Sequence, residues 1–180
     1  MAEYLPILPR SGLWLFHTDG NGPRFARLFA ETWRRVPLCG RRRILKFWRE
    51  HRPSGGPSRG WPHIELIEDK SNFHHSDGEG EVVGQAQKRG GQLAFKSGAV
   101  DNAPVETVVA MIGHELAHVY HYAVDPVYSQ AGCDCEGPVF DVLVDWGFDP
   151  DPDLAAIKRS PAGRPRRAKP ATPERRGARQ

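Results

Sequence analysis

Met111-Ile112-Gly113-His114-Glu115-Leu116-Ala117-His118-Val119-Tyr120-His121 is the most informative stretch of this 180-residue chain. Within it His114 and His118 frame the pattern H-E-x-x-H. Two histidines four residues apart on a helix point the same way and can grip one metal ion. Glu115 lies between them, close enough to act on a water held by that ion. Around the motif, Val105, Val108, Ile112, Leu116, Val119 and Ala123 recur at steps of three and four. That stripe predicts a long helix over about 104–123 with one side in the core. Met111, His114, His118 and His121 fall on the opposite stripe, which is expected to face a cleft. Pro104 suits a first helical turn, and Asp125-Pro126 ends the helix. Gly113 leaves room beside His114 for a neighbouring backbone.

Upstream, residues 1–21 read as irregular, with Leu13–Phe16 as a short strand or core anchor. Phe25, Leu28, Phe29 and Trp33 recur at helical spacing from Pro23 to about Val36, and Pro37 stops that helix. Ile44, Leu45, Phe47 and Trp48 mark a second helix over about 40–51. The aromatic residues of this pair are expected to pack the core. A Gly/Ser/Pro loop over 53–62 leads to a strand at Ile64–Glu68. Residues 81–87 and 92–96 are two further strands, read as a hairpin across Lys88-Arg89-Gly90-Gly91. Downstream, a short helix over about 137–146 ends at Gly147. The expected class is α+β: two N-terminal helices, a small mostly antiparallel sheet of about three strands, a long metal-binding helix and a short C-terminal helix. Residues 1–153 read as one domain. Residues 154–180, rich in Pro and Arg, read as a disordered tail.

Composition sets further limits. No run of about 18 apolar residues exists, so no membrane span is expected. The first residues lack signal-peptide character. Three cysteines, Cys39, Cys133 and Cys135, are too few for a disulfide framework and point to a reducing compartment, the cytoplasm. The net charge of +3 conceals a split: residues 158–180 carry nine basic residues against Glu174, leaving −5 for residues 1–157. Such a tail is a candidate for weak, phosphate-driven contact with nucleic acid or another polyanion.

The H-E-x-x-H helix resembles the zincin superfamily of zinc metallopeptidases. That resemblance implies Zn2+ as cofactor, His114 and His118 as metal ligands, Glu115 as general base, and a protein or peptide substrate. All eight histidines lie at or before His121, and position 121 is not glycine. The zincins with H-E-x-x-H-x-x-G-x-x-H and the SprT-like peptidases, which use a downstream histidine, are therefore excluded. His121 lies seven residues from His114, about 10 Å along a continuous helix, too far for both to share one ion. The third ligand then comes from Asp125, Asp134, Glu136, Asp141 or Asp145. Gluzincin-like peptidases take it from a glutamate on the following helix. Glu136 is the glutamate of that region, with Asp141 as the alternative and Asp141 or Asp145 as orienting groups for a ligating histidine. Small intracellular domains of the ImmA/IrrE type, thought to cut one regulatory protein, are the nearest resemblance. It covers about residues 90–148.

The resemblance implies peptide-bond hydrolysis by a Glu115-activated, zinc-bound water, with an oxyanion partner among Tyr120, Tyr122, Tyr128 and His121. An extended substrate is expected to add to the sheet edge at residues 92–96, where a proline at Ala94 would weaken turnover. Two other readings compete. Cys133 and Cys135 with the two histidines would close a structural zinc site and leave Glu115 without a role. Alternatively, a non-catalytic zinc module would bind a polyanion through the basic tail.

Overall fold

A computed structural model describes residues 3–8, 13–51, 64–68, 84–86, 91–125 and 136–148. The class is α+β. Five strands, β1 (Glu3–Leu8), β2 (Leu13–His17), β3 (Ile64–Ile67), β4 (Gly84–Ala86) and β5 (Leu93–Lys96), form one sheet in the order β1-β2-β3-β5-β4. The sheet is mixed. β1 pairs with β2 and β4 with β5 antiparallel, while β3 runs parallel to both β2 and β5. The expected three-stranded, mostly antiparallel sheet is thus corrected on both counts. The parallel β2–β3 pair requires a long crossover, and the stretch between these strands, which holds two helices, is long enough to supply it.

Alternation explains which face is buried. Leu15, Ile64 and Leu93 form one cross-strand row, and Leu66 and Phe95 belong to the next. All five are buried, whereas Trp14 on the other face is partly exposed. One side of the sheet therefore carries the helices. Helix α1 (Gly22–Arg35) rests Phe25 on Phe95, with ring centroids 5.0 Å apart. Helix α2 (Leu38–Glu50) stacks Trp48 on Trp33 of α1 at 5.8 Å. The chain breaks between them at Val36-Pro37, where proline caps α2. Trp48 also donates its indole N–H to the carbonyl of Gly91, 2.9 Å away, tying α2 to the residues before β5.

A short helix α3 (Ser97–Asn102), not anticipated from the sequence, follows β5 directly. It is held by the turn that starts α1. The Asn21 side chain caps Arg24, the Asn21 N–H donates to Asp101, and Arg24 donates to the carbonyls of Val100 and Ala103. Gly20 has φ +76°, and a Cβ there would lie 2.6 Å from Ser97 Cβ, so the turn requires glycine.

Helix α4 (Val105–Val124) carries the H-E-x-x-H motif and packs against α1, α2, β4 and α5 (Glu136–Asp145). It is more deeply enclosed than a two-faced helix. Met111, expected on the cleft side, is buried in the core, as are Val109 and Ala110. The space at Gly113 is filled by the ring of Phe148, whose atoms a Cβ would meet at 3.2 Å, rather than by a backbone. α5 ends at Gly147 with φ +75°; the Phe148 N–H reaches the Leu143 carbonyl, closing a glycine-terminated helix end.

Two expectations about the sheet edges are overturned. β1, with Pro6 inside it, is an edge strand where irregular chain was expected. Residues 93–96 are not an edge: β5 lies between β3 and β4, and β4 holds that border. The tail at 154–180, the loop at 53–62, and Tyr128, Cys133, Asp134 and Cys135 lie outside the described residues.

Candidate metal centre

One turn of α4 and the first residue of α5 build the site. His114 and His118 project from the same side of α4, with their Nε2 atoms 3.1 Å apart. Glu136 opens α5, and its Oε2 lies 3.1 Å from His114 Nε2 while its Oε1 lies 3.6 Å from His118 Nε2. Pro138 at the third position of α5 fits there because the first turn of a helix needs no N–H from it. The two helices are pinned together by His121, whose Nε2 is 2.8 Å from the Pro138 carbonyl oxygen. That contact occupies His121 beside the site rather than in it.

The donor set could hold a metal ion. Ligand bonds of about 2.0–2.1 Å at tetrahedral angles place donor atoms about 3.3–3.4 Å apart. The two Nε2 atoms are 3.1 Å apart and Glu136 Oε2 is 3.1 Å from His114 Nε2, both close to that spacing, and one donor atom from each of the three residues lies within 4.8 Å of the others. Among the described residues, His114, His118 and Glu136 are the group of His, Cys, Asp and Glu that converges in this way. Two imidazoles and one carboxylate would leave a fourth tetrahedral position open. Asp141 and Asp145 are exposed and make no hydrogen bond to either histidine.

Glu115 differs from these three. It is buried, and the strand β4 passes directly over it: a Cβ on Gly84 would lie 3.2 Å from Glu115 Cγ. Burial pushes its carboxyl above the ordinary range, opposed by the nearby His118 and His114 charges and by a hydrogen bond from the Ala86 N–H. Sequence reasoning did not find this last contact, because a backbone group leaves no residue signature.

The remaining electrostatics follow from proximity. Glu136 is held well below the usual carboxylate range by hydrogen bonds from His114 and His118. For His114 burial is the largest single influence and acts downward. The Glu136 hydrogen bond and the charges of Glu115 and Glu136 together outweigh it, and the net shift is upward. Aromatic rings surround the histidines. Tyr122 is buried and stacks on His118 at 6.3 Å, and Phe140, partly exposed on α5, lies 6.0 Å from His114. Tyr120 packs instead against Trp146.

No helix among the described residues is long and apolar enough to cross a membrane. A scan of protein-family models, a search of curated proteins and a search of solved structures each found no match for this chain.

Proposed function

We propose that the chain is a zinc-dependent metallopeptidase of the H-E-x-x-H type, acting in the cytoplasm. The observation that carries this reading is the convergence of His114, His118 and Glu136 from two helices, with the Glu115 carboxylate on the same stretch of α4. Zn2+ held by these three residues would activate water and polarise a substrate carbonyl.

The chain's own groups supply the rest. Glu115, kept from bulk water under β4, is suited to take a proton from the attacking water and deliver it to the leaving amine. The border strand β4, which passes over Glu115, offers a substrate a place to add in extended form. Phe140 would meet an apolar side chain on the other flank of the histidines.

The test is metal analysis joined to hydrolysis of a peptide mixture. The reading requires one zinc per chain and zinc-dependent cleavage that is lost in Glu115→Gln. A chain that binds zinc at these residues but cleaves no peptide or protein would overturn the enzymatic assignment.

A further inference from the structure

We propose that the outward face of α2 is a docking surface for the phosphate backbone of a nucleic acid. Charge is strongly segregated within the chain. Residues 22–52 hold ten Lys or Arg against Glu31 and Glu50, a net of +8, so the remainder of residues 1–157 carries −13. Four of those ten basic residues lie on one side of one helix. Arg42, Arg43, Lys46 and Arg49 are exposed, while Ile44, Phe47 and Trp48 on the same helix are buried.

An ordinary solvated face would interleave acidic partners one turn away. Glu50 does so here, 3.8 Å from Lys46. Arg42 and Arg43 have no acidic partner among the described residues, in contrast to Arg35, which is tied to Glu31 and Glu106. The placement also works against the helix. α2 has no acidic residue in its first turn and no side-chain cap. Arg41, Arg42 and Arg43 follow within the second turn, near the end where the macrodipole disfavours cations. The positive potential of the helix end and of the guanidinium groups therefore adds in one place.

The partner's chemistry follows from what this face has and lacks. It is rich in guanidinium, which suits phosphate. Arg42 to Arg49 spans about 10 Å of helix, a length over which a duplex presents about six charges. The apolar side of α2 is in the core, and Leu38 is its one exposed large apolar residue. The face thus has no wedge for a lipid surface and no aromatic anchor for a protein partner. Recognition would be independent of base sequence. The surface is also clear of the metal centre: Phe47, on the inward side of α2, meets Tyr122 at 6.5 Å, and Tyr122 in turn stacks on His118. The proposal does not depend on peptidase activity.

The experiment measures binding of a labelled random-sequence duplex to the full chain between 50 and 200 mM salt. Neutralising four phosphates gives a log–log slope of about −3.6, an affinity loss of about two orders of magnitude over that range. Both proteins retain the basic tail, so comparing wild type with Arg42→Gln/Arg43→Gln/Lys46→Gln isolates α2. The substitutions should make the slope shallower by about 2.7 and weaken binding at 50 mM salt by at least about tenfold. Arg42→Lys/Arg43→Lys keeps the charge and should keep the slope, which separates charge from any folding defect. An unchanged slope and affinity in the glutamine variant would overturn the proposal. So would tighter binding to polyglutamate or to phosphatidylserine vesicles than to the duplex.

Discussion

Glu136 Oε2 lies 3.1 Å from His114 Nε2 although 22 positions separate them in the chain. The approach depends on α5 turning back along α4, fixed by His121 on the Pro138 carbonyl and by Phe148 over Gly113. Glu136, rather than Asp141, is therefore expected to complete the metal site. Glu136→Ala should weaken zinc binding by more than the 10–100-fold typical of an outer-shell partner, while Asp141→Ala should leave it within about twofold. Competition against a chromogenic chelator measures both. Loss of zinc in Asp141→Ala with retention in Glu136→Ala would exchange their roles.

The parts legible in the sequence were those with local periodicity or chemistry. The apolar stripe and Pro104 placed α4 to within a residue or two, and Pro37 and Gly147 marked helix ends through their restricted or permissive backbones. What stayed hidden was non-local. Residues 1–21 read as irregular, yet residues 3–8 form β1, and its Pro6 is tolerated because β1 lies at the sheet border. Parallel pairing of β3 with β2 and β5 has no signature in any one of those strands, and it displaced the expected edge from β5 to β4. The Ala86 N–H on Glu115 was equally invisible, being main chain.

Glu115→Gln should keep zinc and lower the rate of peptide hydrolysis by about 10²–10⁴-fold, the usual worth of a positioned general base. A second consequence concerns stability. Glu115 is raised above its ordinary 4.5, so the folded protein binds this proton more tightly than the unfolded chain. Stability from this group therefore falls as pH rises above about 4.5. The glutamine variant lacks that penalty, and its metal-free form should match or exceed the wild type in thermal stability at pH 8. A marked loss of stability at pH 8 would contradict the burial assigned to this carboxylate.

The close passage of β4 over α4 makes Gly84 a sensitive position. A Cβ there would meet the Phe95 ring at 3.0–3.1 Å and Glu115 Cγ at 3.2 Å. Gly84→Ala should displace Glu115 more than the histidines. Turnover would fall, by up to about 10²-fold for a shift near 1 Å, with zinc affinity nearly unchanged. Steady-state kinetics beside metal titration separates the two effects. Ala94→Pro, by contrast, would disrupt an internal strand, so a loss of activity there would reflect unfolding and not an edge used by substrate.

Gly91 tests the frame that holds the site. Its φ is +64°, and a Cβ would lie 2.7 Å from Trp48 Nε1, the atom that donates to the Gly91 carbonyl. Gly91→Ala should cost at least about 1–2 kcal/mol from the left-handed backbone alone. In a chain of this size that lowers the melting temperature by about 2–8 °C. Differential scanning calorimetry measures it, and an unchanged transition would mean the turn is not held as described.

In the metal-free protein, His114 and Glu136 should give a pH window of extra stability. Glu136 is depressed below its ordinary 4.5, so its contribution is present above about 4.5 and lost as pH falls through its folded value. His114 is raised above its ordinary 6.5, so its contribution is complete below about 6.5 and lost as pH rises through its folded value. Together they stabilise the metal-free protein most between about pH 4.5 and 6.5. Glu136 is nearly half exposed, so solvent screening keeps the effect modest. Thermal melts of the metal-free wild type and Glu136→Gln should differ most near pH 5.5 and draw together as pH rises through the folded value of His114. Zinc must displace the same protons, so its apparent affinity should rise across that upper interval. A difference between the two proteins that is independent of pH would show that Glu136 holds α5 through packing rather than through charge on the histidines.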